Sequence, residues 1–174
     1  MNEPKTLIVY YSRSGNTKAV AKIIQSKVGG DLVQIETSDP RPTNYRKEVE
    51  QNVQEQNNNT LPKLKTSIKN FNSYKRIFIG TPTWNMALPQ AVVTFLNSYD
   101  FSKKTVIPFN TNGGYGIGST FDQIKKGAKG ADVLHGYSVK GGEEIDGILL
   151  TIKDQKKVKV SKEVDSWLKR IRVK

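Results

Sequence analysis

The stretch that decides the fold is Leu7-Ile8-Val9-Tyr10-Tyr11, followed by Ser12-Arg13-Ser14-Gly15-Asn16-Thr17. The first five residues form an unbroken apolar run, the pattern of a strand covered on both faces. Beyond the hydroxyls, glycine and amide of the loop, Val20, Ala21, Ile23, Ile24 and Val28 recur at helical spacing until Gly29-Gly30 ends the series. A helix entered this way leaves its first N–H groups without intrahelical acceptors. Those groups carry partial positive charge and can hold an anion without a lysine. The loop matches neither G-x-x-x-x-G-K-[ST] nor G-x-G-x-x-G, so it is neither a triphosphate P-loop nor a dinucleotide fingerprint. An ordinary strand-to-helix turn would also use Gly and Ser, and the loop alone does not separate the two readings.

Working outward, the same alternation repeats. Lys5–Tyr11, Leu32–Ile35, Arg76–Gly80, Thr105–Phe109 and Ala131–Val139 read as strands. Thr17–Val28, Ala87–Tyr99, Ser119–Gly127 and Ser161–Val173 read as helices, the last capped by Ser161. Between strands two and three, Asn44–Glu55 reads as an exposed helix and Gln56–Thr60 as a flexible connector. Ile148–Ile152 and Lys157–Val160 read as a hairpin across Asp154-Gln155. Alternating strands and helices predict an α/β fold, a three-layer α-β-α sandwich around a five-stranded parallel sheet. A length of 174 residues suits a single domain over 1–174.

In such sheets ligands bind beyond the carboxyl ends of the strands. Three loops lie there. The first is Ser12, Arg13, Ser14, Gly15, Asn16 and Thr17. The second is Thr81, Pro82, Thr83, Trp84 and Asn85, which brings a tryptophan to an edge where a core role is unexpected. The third is Asn110, Thr111, Asn112, Gly113, Gly114 and Tyr115, whose glycines let the main chain approach a ligand closely. Taken singly, these are a turn, a half-buried Trp and a surface loop. Together they describe one anion cradle and two aromatic, amide-rich walls, a pocket for a planar ring that bears a phosphate.

Composition removes other chemistries. There is no cysteine, hence no disulfide, thiolate metal site or cysteine nucleophile. His135 is the only histidine, which argues against a His-based triad or metal centre. No apolar run approaches the ~20 residues of a membrane span, and residues 1–4 show no signal-peptide pattern, so a cytoplasmic location is expected. The formal net charge is +12, and from Thr151 to Lys174 nine Lys/Arg stand against three Asp/Glu. The basic residues are scattered and not interleaved with stacking aromatics, which favours a hydrated surface over a nucleic-acid or lipid contact.

Ser12–Thr17, Gly80-Thr81-Pro82-Thr83-Trp84 and Pro108-Phe109-Asn110-Thr111-Asn112-Gly113-Gly114 resemble the corresponding segments of the flavodoxin family, over roughly 5–139. The likeness is to members with an insertion between strands two and three, here Ser38–Lys69. The resemblance implies strand order 2-1-3-4-5 and non-covalently bound FMN. By position, Ser12, Ser14, Gly15, Asn16 and Thr17 would hold the phosphate. Pro82, Thr83, Trp84 and Asn85 would flank one side of the isoalloxazine, and Thr111, Gly113, Gly114 and Tyr115 the other side and edge. Electron-shuttle flavodoxins are acidic and this chain is basic, so their usual partners do not carry over. The Asn85–Met86 peptide stands where the family often has a glycine. The implied role is electron transfer to a partner protein or a small acceptor such as a quinone. The alternatives are an NAD(P)H-dependent quinone or nitro reductase, and a non-redox basic module for nucleic acid or anionic surfaces. No residue is assigned as catalytic.

Overall fold

Along β1 (Thr6–Tyr10) of the computed structural model, which describes residues 3–173, successive side chains enter opposite layers. Leu7 and Val9 join one buried cluster; Ile8 and Tyr10 join the other. This is the period of two that a strand imposes. It means that β1 needs a helical layer on each side. The Ile8/Tyr10 side is covered by α1 (Asn16–Val28) and α5 (Asp154–Arg170), through Val20, Ile24, Val164, Trp167 and Leu168. The Leu7/Val9 side is covered by α3 (Gln90–Ser98) and α4 (Thr120–Gly127), through Val92, Phe95, Leu96 and Ile124.

The other strands are β2 (Asp31–Gln34), β3 (Arg76–Pro82), β4 (Thr105–Asn112), β5 (Asp132–Val133) and β6 (Tyr137–Lys140). All pairings are parallel and the order is β2-β1-β3-β4-β5, with β6 also on β4. The three-layer fold and the order 2-1-3-4-5 are therefore as expected. The fifth position, however, is filled by two segments rather than by one strand over 131–139. Val106 pairs with Val133 and Phe109 with Tyr137, so the fifth strand uses one residue more than β4 between these pairs. This is a β-bulge. Pro108 sits opposite it and brings no N–H to β4. At the break, the His135 carbonyl accepts a 2.8 Å hydrogen bond from the indole N–H of fully buried Trp167.

The expected hairpin over 148–160 is absent. Helix α5 begins at Asp154 and runs through Lys157–Val160, with Ser161 inside it rather than at its cap. Val158 and Val160 alternate like strand residues. In the fold only Val160 is buried; with Val164, Trp167 and Leu168 it forms one helical stripe, while Val158 stays exposed. Residues 148–152 form no strand either; Ile148 makes only an isolated bridge to Glu143.

The segment between β2 and β3 carries α2 (Tyr45–Asn58), capped by Asn44, whose side chain accepts from Lys47 N–H at 3.1 Å. It runs through most of the expected connector to a left-handed Asn59. It is not exposed all round, because Glu48 and Asn52 are buried. No helix among the described residues is long and apolar enough to cross a membrane.

Gly80, in the middle of the sheet, has no room for a side chain. A Cβ there would lie 2.2 Å from the Phe109 ring. Gly80→Ala should overpack this layer and lower stability by about 1–3 kcal/mol. Urea unfolding checks this; an unchanged midpoint would show that the Phe109 ring moves aside freely.

Candidate functional site

The chain leaves β1, β3, β4 and β6 at one edge of the sheet, and the four loops enclose a cleft of about 500 Å³. This lies within the usual range of small-molecule sites. The first loop turns into α1 through Gly15, at φ +101°. The Ser12 hydroxyl accepts from the N–H groups of Gly15 (3.2 Å) and Lys18 (3.3 Å). Among the described residues, the N–H groups of Ser14, Asn16 and Thr17 have no protein acceptor. They are the orphan donors of a helix start, and Ser12, Ser14, Asn16 and Thr17 all line the cleft. The Thr17 hydroxyl bonds the Thr111 hydroxyl at 2.8 Å, both buried, which ties this loop to β4.

Two side chains of the loop have partners far along the chain. Asn16 Oδ1 accepts from the N–H groups of Thr151 (3.0 Å) and Ile152 (3.2 Å), and its Nδ2 donates to the Leu149 carbonyl (2.8 Å). Arg13 donates from Nε to Glu144 (3.0 Å) and from its terminal nitrogens to the carbonyls of Pro42 (2.8 Å) and Thr43 (3.0 Å). Its guanidinium is thus turned toward Glu144 and the segment before α2. Both residues line the cleft while fastening the loop to other parts of the chain.

The second wall is Pro82, Thr83 and Trp84. Trp84 and Ala87 exchange backbone hydrogen bonds of 2.9 and 3.1 Å around Asn85 and Met86, both at positive φ (+50° and +60°). Asn85 is exposed and outside the cleft lining. Thr81 and Asn110 are also outside it. Both are fully buried, and Asn110 Nδ2 donates to the Thr81 carbonyl (3.2 Å) and the Thr83 hydroxyl (2.8 Å), bracing the two loops from below. Gly15 does not line the cleft but shapes the turn beneath Leu150, which would lie 3.5 Å from a Cβ there. The third wall is Thr111, Asn112, Gly113, Gly114 and Tyr115, with the Tyr115 ring 87% exposed at the mouth.

A fourth wall, Lys140 to Asp146, was not foreseen, nor was Tyr45 at the rim. Gly141-Gly142 after the fifth strand was the available sign, since it stands at the same edge as the other loops. Lys140 and Glu143 form an ion pair; this hydrogen bond holds Lys140 above the ordinary lysine range and Glu143 below the ordinary carboxylate range. No group of His, Cys, Asp or Glu among the described residues could hold a metal ion.

Behind Trp84 lies a cluster of charges. Arg41 bonds Glu48 (2.6 Å) and Glu55 (2.7 Å), and its guanidinium is 5.9 Å from the Trp84 ring centroid. Burial acts to lower the Arg41 pKa, but the two carboxylates more than offset it, so its charge is secure. Tyr11 meets Trp84 edge-on at 5.4 Å. Burial pushes the Tyr11 phenol up to about 12, with Arg41 opposing and Glu48 and Glu55 adding to the rise.

The cleft can be set beside known proteins. The family model for flavodoxin matches residues 5–149. No protein of curated function matches the sequence. A candidate flavoprotein from Bacteroides eggerthii DSM 20697 is 27% identical, with 98% of this chain and 99% of that one covered and a TM-score of 0.79. The cover includes the tail beyond Val139, which the sequence resemblance left unplaced. A candidate flavoprotein from Bacteroides uniformis ATCC 8492 is 26% identical, covering 83% of this chain and 96% of its own, at a TM-score of 0.72. A flavoprotein from Lactobacillus acidophilus NCFM, solved in complex with FMN, is 26% identical, covering 82% and 97%, at a TM-score of 0.66.

The raised Tyr11 pKa makes a pH prediction. Between pH 10, where an unfolded tyrosine ionises, and about 12, the native state keeps a proton that the unfolded state has lost. Stability should therefore be complete below this window and fall as pH rises through it. Chemical unfolding at stepped pH should show a shallower fall in Tyr11→Phe; an identical slope in both proteins would contradict the assignment to Tyr11.

Proposed function

The chain belongs to the flavodoxin family, and from that premise we propose that it binds FMN non-covalently and carries electrons. One observation supports this most: a single cleft with unpaired helix-start amides at one end and the rings of Trp84 and Tyr115 at the other. The residues fit the group. An anion meets the N–H groups of Ser14, Asn16 and Thr17 and the hydroxyls of Ser12, Ser14 and Thr17, with the partial charge of α1 behind them. Pro82, Thr83 and Trp84 serve the second wall, with Asn85 in the turn behind it; Thr111, Asn112, Gly113, Gly114 and Tyr115 serve the third, where glycines keep the main chain close. Thr81, Asn110, Gly15 and Arg13 serve by holding these loops in place. When bound, FMN supplies one- and two-electron redox chemistry.

The protein's part is to bind, orient and expose. Tyr115 is 87% exposed and Ile145 75% exposed at the mouth, so one side of the cleft is open to a partner. Glu143 is paired with Lys140, which holds its carboxyl below the ordinary carboxylate range, and Glu144 is bonded by Arg13, so both carboxylates are engaged within the wall. This favours a carrier for a protein partner or a small acceptor such as a quinone over a reductase with its own acid–base groups.

Titration of the apoprotein with FMN and with riboflavin tests the reading. Two or more charge-assisted hydrogen bonds to the phosphate should make FMN bind about 10²-fold more tightly than riboflavin. Equal affinities would remove the anion cradle from the account; retention of neither would overturn it. Steady-state NAD(P)H oxidation with a quinone and no added reductase should be slow, and rapid turnover would move the protein to the reductase class.

A further inference from the structure

The turn that carries Trp84 is held from both sides by residues that do not line the cleft. Its central pair, Asn85 and Met86, both have left-handed backbone, which an ordinary side chain such as that of Met86 disfavours. On one side the Met86 carbonyl accepts from the N–H (2.9 Å) and hydroxyl (3.2 Å) of Ser119, at the start of α4. On the other side stands Gln56 of α2. Its Nε2 donates to the carbonyls of Trp84 (2.9 Å) and Leu88 (3.0 Å), and its Oε1 accepts from Asn85 Nδ2 (3.2 Å). One carboxamide thus bonds the turn at three points. The indole is backed by Arg41, itself gripped by two carboxylates of α2. Arg41 and Gln56 come from the same segment between β2 and β3, and neither lines the cleft.

We propose that Gln56 and Arg41 are positioning residues for Trp84: the segment between β2 and β3 is the support that fixes this wall against the flavin ring. The proposal rests on the FMN reading above. Without the clamp the turn keeps its ties to α4 and to Thr83, but the Trp84 carbonyl and the indole lose their backing from this segment, and the indole gains freedom to swing. Flat stacking then competes with rotamer freedom that binding must remove.

The test uses the full chain and two readouts. Trp167 is fully buried, so acrylamide quenching of tryptophan fluorescence in the apoprotein reports on Trp84. Gln56→Leu should raise the quenching constant and weaken FMN binding about five- to tenfold, the scale of one or two lost hydrogen bonds. In a Trp84→Leu background the same change should alter FMN affinity by less than about twofold, because its effect acts through the ring. Unchanged quenching, or an equal loss of FMN affinity in both backgrounds, would overturn the proposal. If Gln56→Leu fails to fold by far-ultraviolet circular dichroism, Arg41→Lys replaces it. That variant keeps the charge but not the fork that spans both carboxylates, and it should move both readouts the same way. If the unaltered protein retains no FMN, the FMN reading falls alone, and the quenching comparison still decides whether Gln56 and Arg41 hold the indole.

Discussion

One rung of the sheet governs the site. Gln34, Tyr10, Gly80, Phe109 and Tyr137 stand side by side across five strands in parallel register. Because the strands all run the same way, the loops beyond this rung emerge at one edge, and their order around the cleft is the order of the strands. The rung closes only because Gly80 has no side chain where the Phe109 ring lies. The chain after β2 takes a longer course. It leaves the edge, passes behind Trp84 at Arg41, forms α2, and meets the Trp84 turn again at Gln56.

Much of this was legible from residue order. A parallel sheet buries both faces of its central strands, so each leaves a short apolar run, and helices lying on it leave a period near 3.6. The three loops followed from topology, because strand ends in such a sheet have a fixed edge. What escaped was non-local. Arg13 and Asn16 find their partners in Glu144 and in Leu149–Ile152, more than 130 residues onward, and no local pattern announces such pairs. The lysine-rich start of α5 imitated a strand because Val158 and Val160 alternate; tertiary burial of Val160 with Val164 and Trp167 decided for the helix. The fourth wall was hidden for a related reason. It is tied to distant residues, Gly141 N–H to the Asn112 carbonyl and Glu144 to Arg13, as well as to itself.

The charge of the molecule is divided unevenly. The chain carries +12 overall. Around the cleft, however, the guanidinium groups of Arg13 and Arg41 face the carboxylates of Glu48, Glu55 and Glu144, two positive charges against three negative. Lys140 is neutralised by Glu143. Part of the excess lies on exposed residues in and just before α5, among them Lys153, Lys157, Lys159 and Lys162. An anion in the cleft would therefore meet oriented backbone amides, which Debye screening affects less than it affects exposed lysines.

The bulge opposite Pro108 has a consequence for side-chain phase. Ahead of it, Val133 points into the layer of α3 and α4. With unbroken alternation Tyr137, four residues later, would do the same. It faces α1 and α5 instead, beside Trp167, and Val139 follows it. The supernumerary residue inverts the parity of the strand. It delivers an aromatic ring to one layer and turns Ser138 toward Asn110, whose amide it bonds at 3.0 Å. A chain of the same length paired without this extra residue would set Tyr137 beside Asn110 and turn its ring into the opposite helical layer, away from Trp167.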